Sequence, residues 1–343
     1  MTEATNTTRL DRFQGCMIGG AAGDALGYPV EFGSYEGILD RHGARGITAY
    51  DIDEVSGLAL FSDDTQMTLF TAEGLLAAGR DASRAAFVRE IHRAYLDWLK
   101  TQEQLSPAST GGDRLLDEPQ LYARRAPGNT CLSALRSRRM GLMEKPLNNS
   151  KGCGGVMRVA PVGLFIDDAD EAAYVAGMAA AITHGHPMGY VPAAALAFIV
   201  NRCVYGEPAG LQPVVDECMD RLPTWFEDDR PAAIDMGRRL AYAAELAAGD
   251  GPDAANVVLL GEGWVGDEAL AIAMYACLRH DQSFDDALVA AVNHSGDSDS
   301  TGAIAGNVMG AWLGLGGIAQ AWTDRLELRD LILRIAADLE AAV

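Results

Sequence analysis

The sequence has little positive charge for its length. Its 343 residues include 27 lysines and arginines against 48 aspartates and glutamates, which gives a formal net charge of −21. A chain this acidic repels a phosphate backbone unless its few cations are gathered on one face. The composition therefore argues against general nucleic-acid binding. With 49% hydrophobic and 22% charged residues, it is typical of a folded globular protein.

Closely spaced cysteines and long hydrophobic runs are also lacking. The six cysteines include no C-x-x-C pair, which excludes a zinc ribbon and does not fit a small disulfide scaffold. Residues 1–12 are polar and contain no apolar signal core. The longest apolar run, residues 303–319, is interrupted by Asn307 and is shorter than the roughly 20 residues of a membrane helix. We expect a cytoplasmic protein with no membrane span.

Alternating strand patterns are missing too, whereas helical periodicity is common. From Leu270, apolar residues recur at positions 273, 274, 277 and 278, which is the spacing of one helical face. Neither of the turn-rich stretches, 206–213 and 249–266, changes composition enough to mark a linker. The sequence predicts an all-α fold with a flexible tail over residues 1–12 and a compact single domain over 13–343. The irregular connection 101–129 is long enough to be functional.

Glycine is plentiful and regularly spaced in two segments. It recurs every four residues at positions 15, 19, 23 and 27, and again at 302, 306, 310 and 314. Glycine costs roughly 1 kcal/mol per helical position against alanine. Four in register are tolerable if they allow a close approach to the backbone, although chance alignment among 38 glycines is the alternative. The spacing predicts two packed central helices.

Two segments concentrate oxygen side chains directly before a predicted helix. The first is Ser62-Asp63-Asp64-Thr65, and the second is residues 297–301, where Asp297 and Asp299 alternate next to Ser300. Carboxylates and hydroxyls at such spacing can bind a hard cation. Capping of the following helix explains the same residues about equally well. An EF-hand is excluded, because counting from Asp297 the glutamate required at the twelfth position is missing.

Three further segments have both a functional and an ordinary interpretation. Glu31 follows the first glycine series, where a solvated loop acid is the ordinary interpretation. The glycine-rich residues 148–155 can form a nest for a diphosphate or a plain flexible turn, and they lack the P-loop order. His184 and His186 form an H-x-H pair, which is weak evidence for a metal site at this position of the chain.

Taken together, these segments resemble the ADP-ribosylglycohydrolase family. The resemblance extends through nearly the whole chain, and its specificity lies in the number and order of the motifs. They are residues 19–27 with Glu31, 62–65, 128–130, 151–158, 183–184, 263–264 with 268–270, and 296–300.

The resemblance implies a binuclear Mg²⁺ or Mn²⁺ centre at the floor of a cleft in an all-α fold. The implied metal ligands are Ser62, Asp63, Asp64, Asp297, Asp299 and Ser300. Glu31 and Asp64 are the implied catalytic residues, with Glu31 acting as a ligand or an acid/base group. The implied substrate-binding residues are Asp24, Ser150, Lys151, Gly152, Cys153, Gly154, Gly155 and His184.

The implied reaction is hydrolysis of the bond between ADP-ribose and an acceptor. We expect the acceptor to be the arginine side chain of a modified protein, with serine-linked or small-molecule conjugates as alternatives. A two-metal phosphohydrolase would use the same carboxylates, and a catalytically silent ADP-ribose-binding protein is the non-enzymatic alternative. Retention of all the acidic ligands argues against a silent protein, because crowded carboxylates without a cation are unfavourable.

Overall fold

The structure is a computed structural model that describes residues 7–107 and 114–343. Within these residues the fold is all-α, as predicted, with two isolated β-bridges and no strand. The fifteen α-helices are α1 (Arg9–Gly27), α2 (Tyr35–His42), α3 (Asp63–Ala78), α4 (Arg84–Glu103), α5 (Asn129–Arg136), α6 (Ala160–Phe165), α7 (Ala169–Ala181), α8 (Pro187–Tyr205), α9 (Leu211–Trp225), α10 (Arg230–Ala248), α11 (Asp253–Leu260), α12 (Gly266–Arg279), α13 (Phe284–Val292), α14 (Ser298–Leu313) and α15 (Arg329–Ala341).

Helices α1 and α14 form an antiparallel pair at the centre of the fold, and the two glycine series face each other across it. A methyl group added to Gly15, Gly19 or Gly23 would overlap the carbonyl oxygen of Gly310, Gly306 or Gly302 respectively. Side chains are therefore excluded from this seam, and the two backbones touch directly. The prediction of packed central helices is confirmed.

The last glycine of each series has a different neighbour. Gly27 at the end of α1 faces the Ser298 carbonyl at the start of α14. Gly314 lies beyond the end of α14 with a φ of 75°, the left-handed conformation that commonly ends a helix at glycine. Its conformation therefore reflects helix termination, although its backbone still packs against Gly15 at the end of the seam.

Helix α1 begins before the predicted end of the tail. Thr8 caps the helix by accepting from the Asp11 amide at 3.1 Å. Arg12 then donates to the carbonyl oxygens of Cys203 and Ala311 at 2.6 and 3.1 Å. Residues 9–12 are thus part of the helical body and not of a tail, because capping and these contacts fix them. Residues 1–6, and residues 108–113 of the predicted irregular connection, lie outside the described residues.

Helix α8 is the one described helix that is long and apolar enough to cross a membrane. The sequence pattern had pointed to residues 303–319 as the longest apolar run, and these form most of α14 and the turn after it. In α8, 89% of the apolar window is buried inside the protein, where it packs against α6, α7, α9, α12 and α14. Such burial is typical of a core helix.

The glycine seam generates a prediction about stability. Gly306→Ala should destabilise the fold by about 1–3 kcal/mol or more, because the added methyl group overlaps the Gly19 carbonyl and two backbones must separate. Gly237→Ala is the matched control, since Gly237 lies within α10 and has nothing within 4 Å of an added methyl. That control should stabilise by up to roughly 1 kcal/mol. Urea unfolding measures both, and equal effects would contradict the packed seam.

Candidate metal and substrate site

The carboxylates predicted as ligands converge on one cleft of about 420 Å³. The start of α3 contributes Asp63 and Asp64, the start of α14 contributes Asp297, Asp299 and Ser300, and the turn after α1 contributes Glu31. Antiparallel packing of α1 and α14 is the reason why Glu31 meets the α14 segment, since Gly27 contacts Ser298. The cleft therefore joins segments far apart in sequence.

The start of α3 is fixed from behind by Asp24. This carboxylate accepts from the Ser62 amide at 2.8 Å and from the Thr65 amide at 2.9 Å. Asp24 is fully buried and is not among the residues that line the cleft. Its role in substrate binding stays a prediction, and what the structure shows is that both carboxylate oxygens hold the turn that presents Asp63 and Asp64.

At the starts of α3 and α14, the same short segments cap the helix and place carboxylates at the cleft. Ser62 caps α3, and its hydroxyl accepts from the Asp64 amide at 3.2 Å. Asp297 caps α14 and accepts from the Ser300 amide at 3.3 Å. Ser62 is fully buried and does not line the cleft, so its role as a ligand stays a prediction.

The cleft concentrates negative charge in a desolvated space. Ligand atoms of Glu31, Asp297 and Asp299 lie within 4.8 Å of one another. Burial, followed by the charge of Asp299, raises the pKa of Glu31 to about 11. The same two causes raise the pKa of Asp63, Asp64 and Asp297 well above the usual carboxyl range.

Two oxygen atoms in this cluster have no partner. Asp64 Oδ2 and Glu31 Oε2 are buried and accept no hydrogen bond from the described residues. Unpaired buried carboxylate oxygens are unfavourable unless a cation or a proton compensates them. An all-oxygen donor set of carboxylates and a hydroxyl suits Mg²⁺, Mn²⁺ or Ca²⁺ better than Zn²⁺. The residues present thus fit a hard divalent cation.

The glycine-rich loop is only partly exposed to the cleft. Gly152, Cys153 and Gly154 line it, with the Cys153 thiol donating to Asp297 at 2.7 Å. Gly155 instead packs against the Gly189 carbonyl, where no side chain fits. The other two residues predicted to bind substrate, Ser150 and Lys151, are half-buried and exposed respectively and do not line the cleft.

His184 lines the opposite wall and is held by a buried relay. Its Nδ1 is 2.8 Å from the Thr183 hydroxyl, which accepts from Arg158 Nη2 at 2.7 Å. Arg158 is fully buried, and its guanidinium lies 4.4 Å from the centre of the Tyr95 ring. Burial and the charge of Arg158 lower the pKa of His184 to about 3, so this histidine is neutral at physiological pH.

The relay indicates which nitrogen of His184 carries the proton. An arginine can only donate, so it occupies a lone pair of the Thr183 hydroxyl. The hydroxyl proton can then go to Nδ1 of His184 at 2.8 Å or to the buried Cys131 sulfur, and the ring nitrogen is the stronger acceptor. We infer that Nε2 is protonated. Because Nε2 lies beside Gly152 and Gly154, that proton would point into the cleft.

His186 has a different task from His184. Its Nδ1 accepts from the Met188 amide at 3.0 Å and caps α8. The H-x-H spacing therefore reflects one cleft residue and one helix cap.

The sequence predictions gave no site role to two kinds of cleft residue. Phe32 and Trp264 form a stacked pair with ring centres 5.3 Å apart, and both line the cleft. Residues 126–131, at the end of the long irregular connection, form another wall. The length of that connection was a usable signal for the wall, whereas nothing in the local sequence marks Phe32 as part of a site.

The fold and the cleft define an all-helical protein whose acidic site is suited to divalent cations and whose opposite wall offers neutral hydrogen-bond donors. Its sequence matches the ADP-ribosylglycohydrolase family over residues 5–343. The chain belongs to this family.

Named relatives cover most of the chain at low identity. One is the ADP-ribosyl-[dinitrogen reductase] glycohydrolase of Rhodospirillum rubrum, 26% identical over 93% of this chain and 91% of that protein. ADP-ribosylhydrolase ARH3 of Bos taurus is 25% identical over 93% and 89%. ADP-ribosylarginine hydrolase Tri1 of Serratia proteamaculans is 24% identical over 96% and 79%. A solved "ADP-ribosylglycohydrolase-related protein complex" has a TM-score of 0.64 and 25% identity, covering 97% and 98% of the two chains.

The raised carboxyl pKa values predict how stability depends on pH. Above about pH 4, unfolded carboxyls have lost their protons, whereas Glu31 keeps its proton up to a pKa of about 11. The folded state then binds more protons than the unfolded state, so the metal-free protein should lose stability as pH rises. Melting temperature should fall between pH 5 and pH 8 in EDTA, and Mg²⁺ should restore more stability at pH 8 than at pH 5. A metal-free protein that melts higher at pH 8 would contradict this.

The relay predicts that His184 keeps a single tautomer. ¹⁵N NMR of the histidine ring should show a protonated Nε2 from pH 5 to pH 8, because the pKa of His184 is lowered to about 3. Thr183→Val should lose this preference, since valine cannot donate to Nδ1, whereas Thr183→Ser should retain it. A protonated Nδ1 in the wild type would contradict the relay.

Proposed function

We propose that this chain is a metal-dependent hydrolase that cleaves the bond between ADP-ribose and the arginine side chain of a modified protein. The observation that carries the proposal is the cluster of Glu31, Asp297 and Asp299, with atoms within 4.8 Å of one another, in the same cleft as Asp64, whose Oδ2 has no partner. Membership of the ADP-ribosylglycohydrolase family gives the class of reaction.

The residues that would hold two Mg²⁺ or Mn²⁺ ions are the carboxylates of Asp63, Asp64, Asp297 and Asp299 with the hydroxyls of Ser62 and Ser300. When bound, such cations coordinate a ribose diol and lower the pKa of a bound water. The carboxylates fit this task because they reach the cleft from two rigid helix starts, α3 and α14.

The glycine loop and His184 would receive the diphosphate. Gly152 and Gly154 leave no side chain between the backbone and a ligand, and Nε2 of His184 lies beside them, where its inferred proton can be donated to the ligand. A neutral donor is useful here, because it keeps its proton at every physiological pH. This wall offsets the repulsion that a chain of charge −21 exerts on an anion, together with the buried charge of Arg158.

Glu31 lies in the cleft where it can accept or donate the proton that the reaction transfers. Hydrolysis breaks the bond from the anomeric carbon to the acceptor nitrogen, forms a bond to a water oxygen, and transfers one proton from water to the leaving guanidine. The transition state has oxocarbenium character, which the crowded carboxylates stabilise. Burial and the charge of Asp299 raise the pKa of Glu31 to about 11 in the metal-free cleft, so its carboxyl can hold a proton.

Arginine as the acceptor is supported by the name of one relative. The Serratia proteamaculans protein is named an ADP-ribosylarginine hydrolase. The name of the Rhodospirillum rubrum protein gives a modified protein, dinitrogen reductase, and the name ADP-ribosylhydrolase ARH3 gives no acceptor. The negative cleft and its aromatic rim favour a cationic leaving group. A reducing, cytoplasmic location is part of the proposal, and it agrees with six unpaired cysteines.

The test of this function is product analysis with an arginine-modified protein. The wild type should release intact ADP-ribose and unmodified arginine, EDTA should abolish turnover, and Mg²⁺ or Mn²⁺ should restore it. Asp64→Asn should lose turnover at least 100-fold and lose metal binding in calorimetry. Asp330→Asn, which alters an exposed acid of α15, is the control and should behave as wild type.

Other products would identify a different activity. AMP and ribose phosphate as primary products would indicate a phosphohydrolase. Binding of ADP-ribose without turnover of any conjugate would indicate a silent family member. Full activity after exhaustive chelation would contradict the metal centre.

A further inference from the structure

A second groove of about 600 Å³ adjoins the cleft on the side of Glu31. Glu31, Phe32 and Ala126 line both spaces, so these three residues form the wall between them. The outer groove is completed by Tyr28, Pro29, Asp51, Ile52, Asp53 and Leu60. Any acceptor joined to a sugar in the cleft next to Glu31 can leave the site across this wall.

Phe32 has an unfavourable backbone conformation at this wall. Its φ is 65°, a left-handed conformation that non-glycine residues rarely adopt, and its side chain is 70% exposed. One face of the ring stacks on Trp264. Strained and exposed aromatic residues persist where function requires them, and burial in a core does not explain this one.

The charges around Phe32 favour a cation. Asp51 and Asp53 line the outer groove together with the Glu31 carboxyl, and no lysine or arginine lines it. Arg41 pairs with Asp51 from outside the lining, whereas Asp53 accepts only from its own turn, at Val55 and Ser56. A flat cation that stacks on an aromatic face beside a carboxylate fits this chemistry, and a guanidinium has that shape and charge.

We propose that Phe32, supported by Trp264, is the acceptor subsite: it binds the guanidinium of the modified arginine, and the outer groove receives the adjoining protein segment. This inference rests on the proposed function and specifies the residues that select its substrate. Phe32 contacts the acceptor and not the ADP-ribose. It therefore determines specificity between arginine-linked and serine-linked conjugates.

The experiment compares kinetics on free ADP-ribosylarginine and free ADP-ribosylserine. Phe32→Ala should raise KM for the arginine conjugate about tenfold, while any turnover of the serine conjugate and the Kd for ADP-ribose should change less than twofold. Phe32→Tyr should restore the wild-type KM because it keeps the aromatic face. Val55→Ala is the control, since Val55 is 96% exposed in the neighbouring turn but lines neither space.

A second variant tests the outer groove. Ile52→Trp should partly fill it, raising KM for an arginine-modified protein at least fivefold while leaving KM for free ADP-ribosylarginine unchanged. Melting temperatures of all variants verify that the fold is retained.

The alternative outcomes of these experiments contradict either the acceptor subsite alone or the proposed function as well. If Phe32→Ala weakens ADP-ribose binding as much as it raises KM, the ring binds the nucleotide and the acceptor subsite is wrong. If KM for the arginine conjugate is unchanged, the subsite is also wrong, although the proposed function stands. Wild-type protein that hydrolyses neither conjugate would contradict the proposed function and this inference together.

Discussion

The direct backbone contact between α1 and α14 is the constraint on which the site depends. Gly19 and Gly23 meet Gly306 and Gly302 with no room for a methyl group, so the two helices have one register and one separation. The end of α1 is thereby fixed against the start of α14. Glu31 follows the first and Asp297 precedes the second, so a contact made without side chains sets the distance between carboxylates that the chemistry requires.

The acidic composition of the chain opposes the binding of an anion, and the site contains a feature that offsets this. Acidic side chains outnumber basic ones by 21, yet the proposed ligand carries a diphosphate. Arg158 is buried, and no carboxylate among the described residues forms an ion pair with it; Thr183, Cys131 and the Tyr95 ring surround it instead. An unneutralised buried cation behind His184 gives that wall a positive potential, while the carboxylates elsewhere in the cleft suit metal ions.

Sequence patterns predicted the helical class, the central glycine pair, and the five acids and one hydroxyl that the structure brings together in the cleft. These features have strong local signals, because a four-residue glycine step and clustered carboxylates are rare without a reason. The role of Asp24 was not predictable, since its partners Ser62 and Thr65 are 38 and 41 residues away. Phe32 was missed because an aromatic residue after a helix reads as core, and only its backbone angle and exposure distinguish it.

Helix capping and cation binding were competing interpretations of residues 62–65 and 297–301, yet the geometry uses both. A carboxylate has about four acceptor positions, so Asp297 can accept from the Ser300 amide and still offer oxygen to the cleft. The cap orients the side chain, and the helix N-terminus stabilises its negative charge. A cation bound by both segments would then join the starts of α3 and α14. Binding to the folded state alone must stabilise that state, so the proposed metal centre would act as a structural link between the two helices as well as a centre for chemistry.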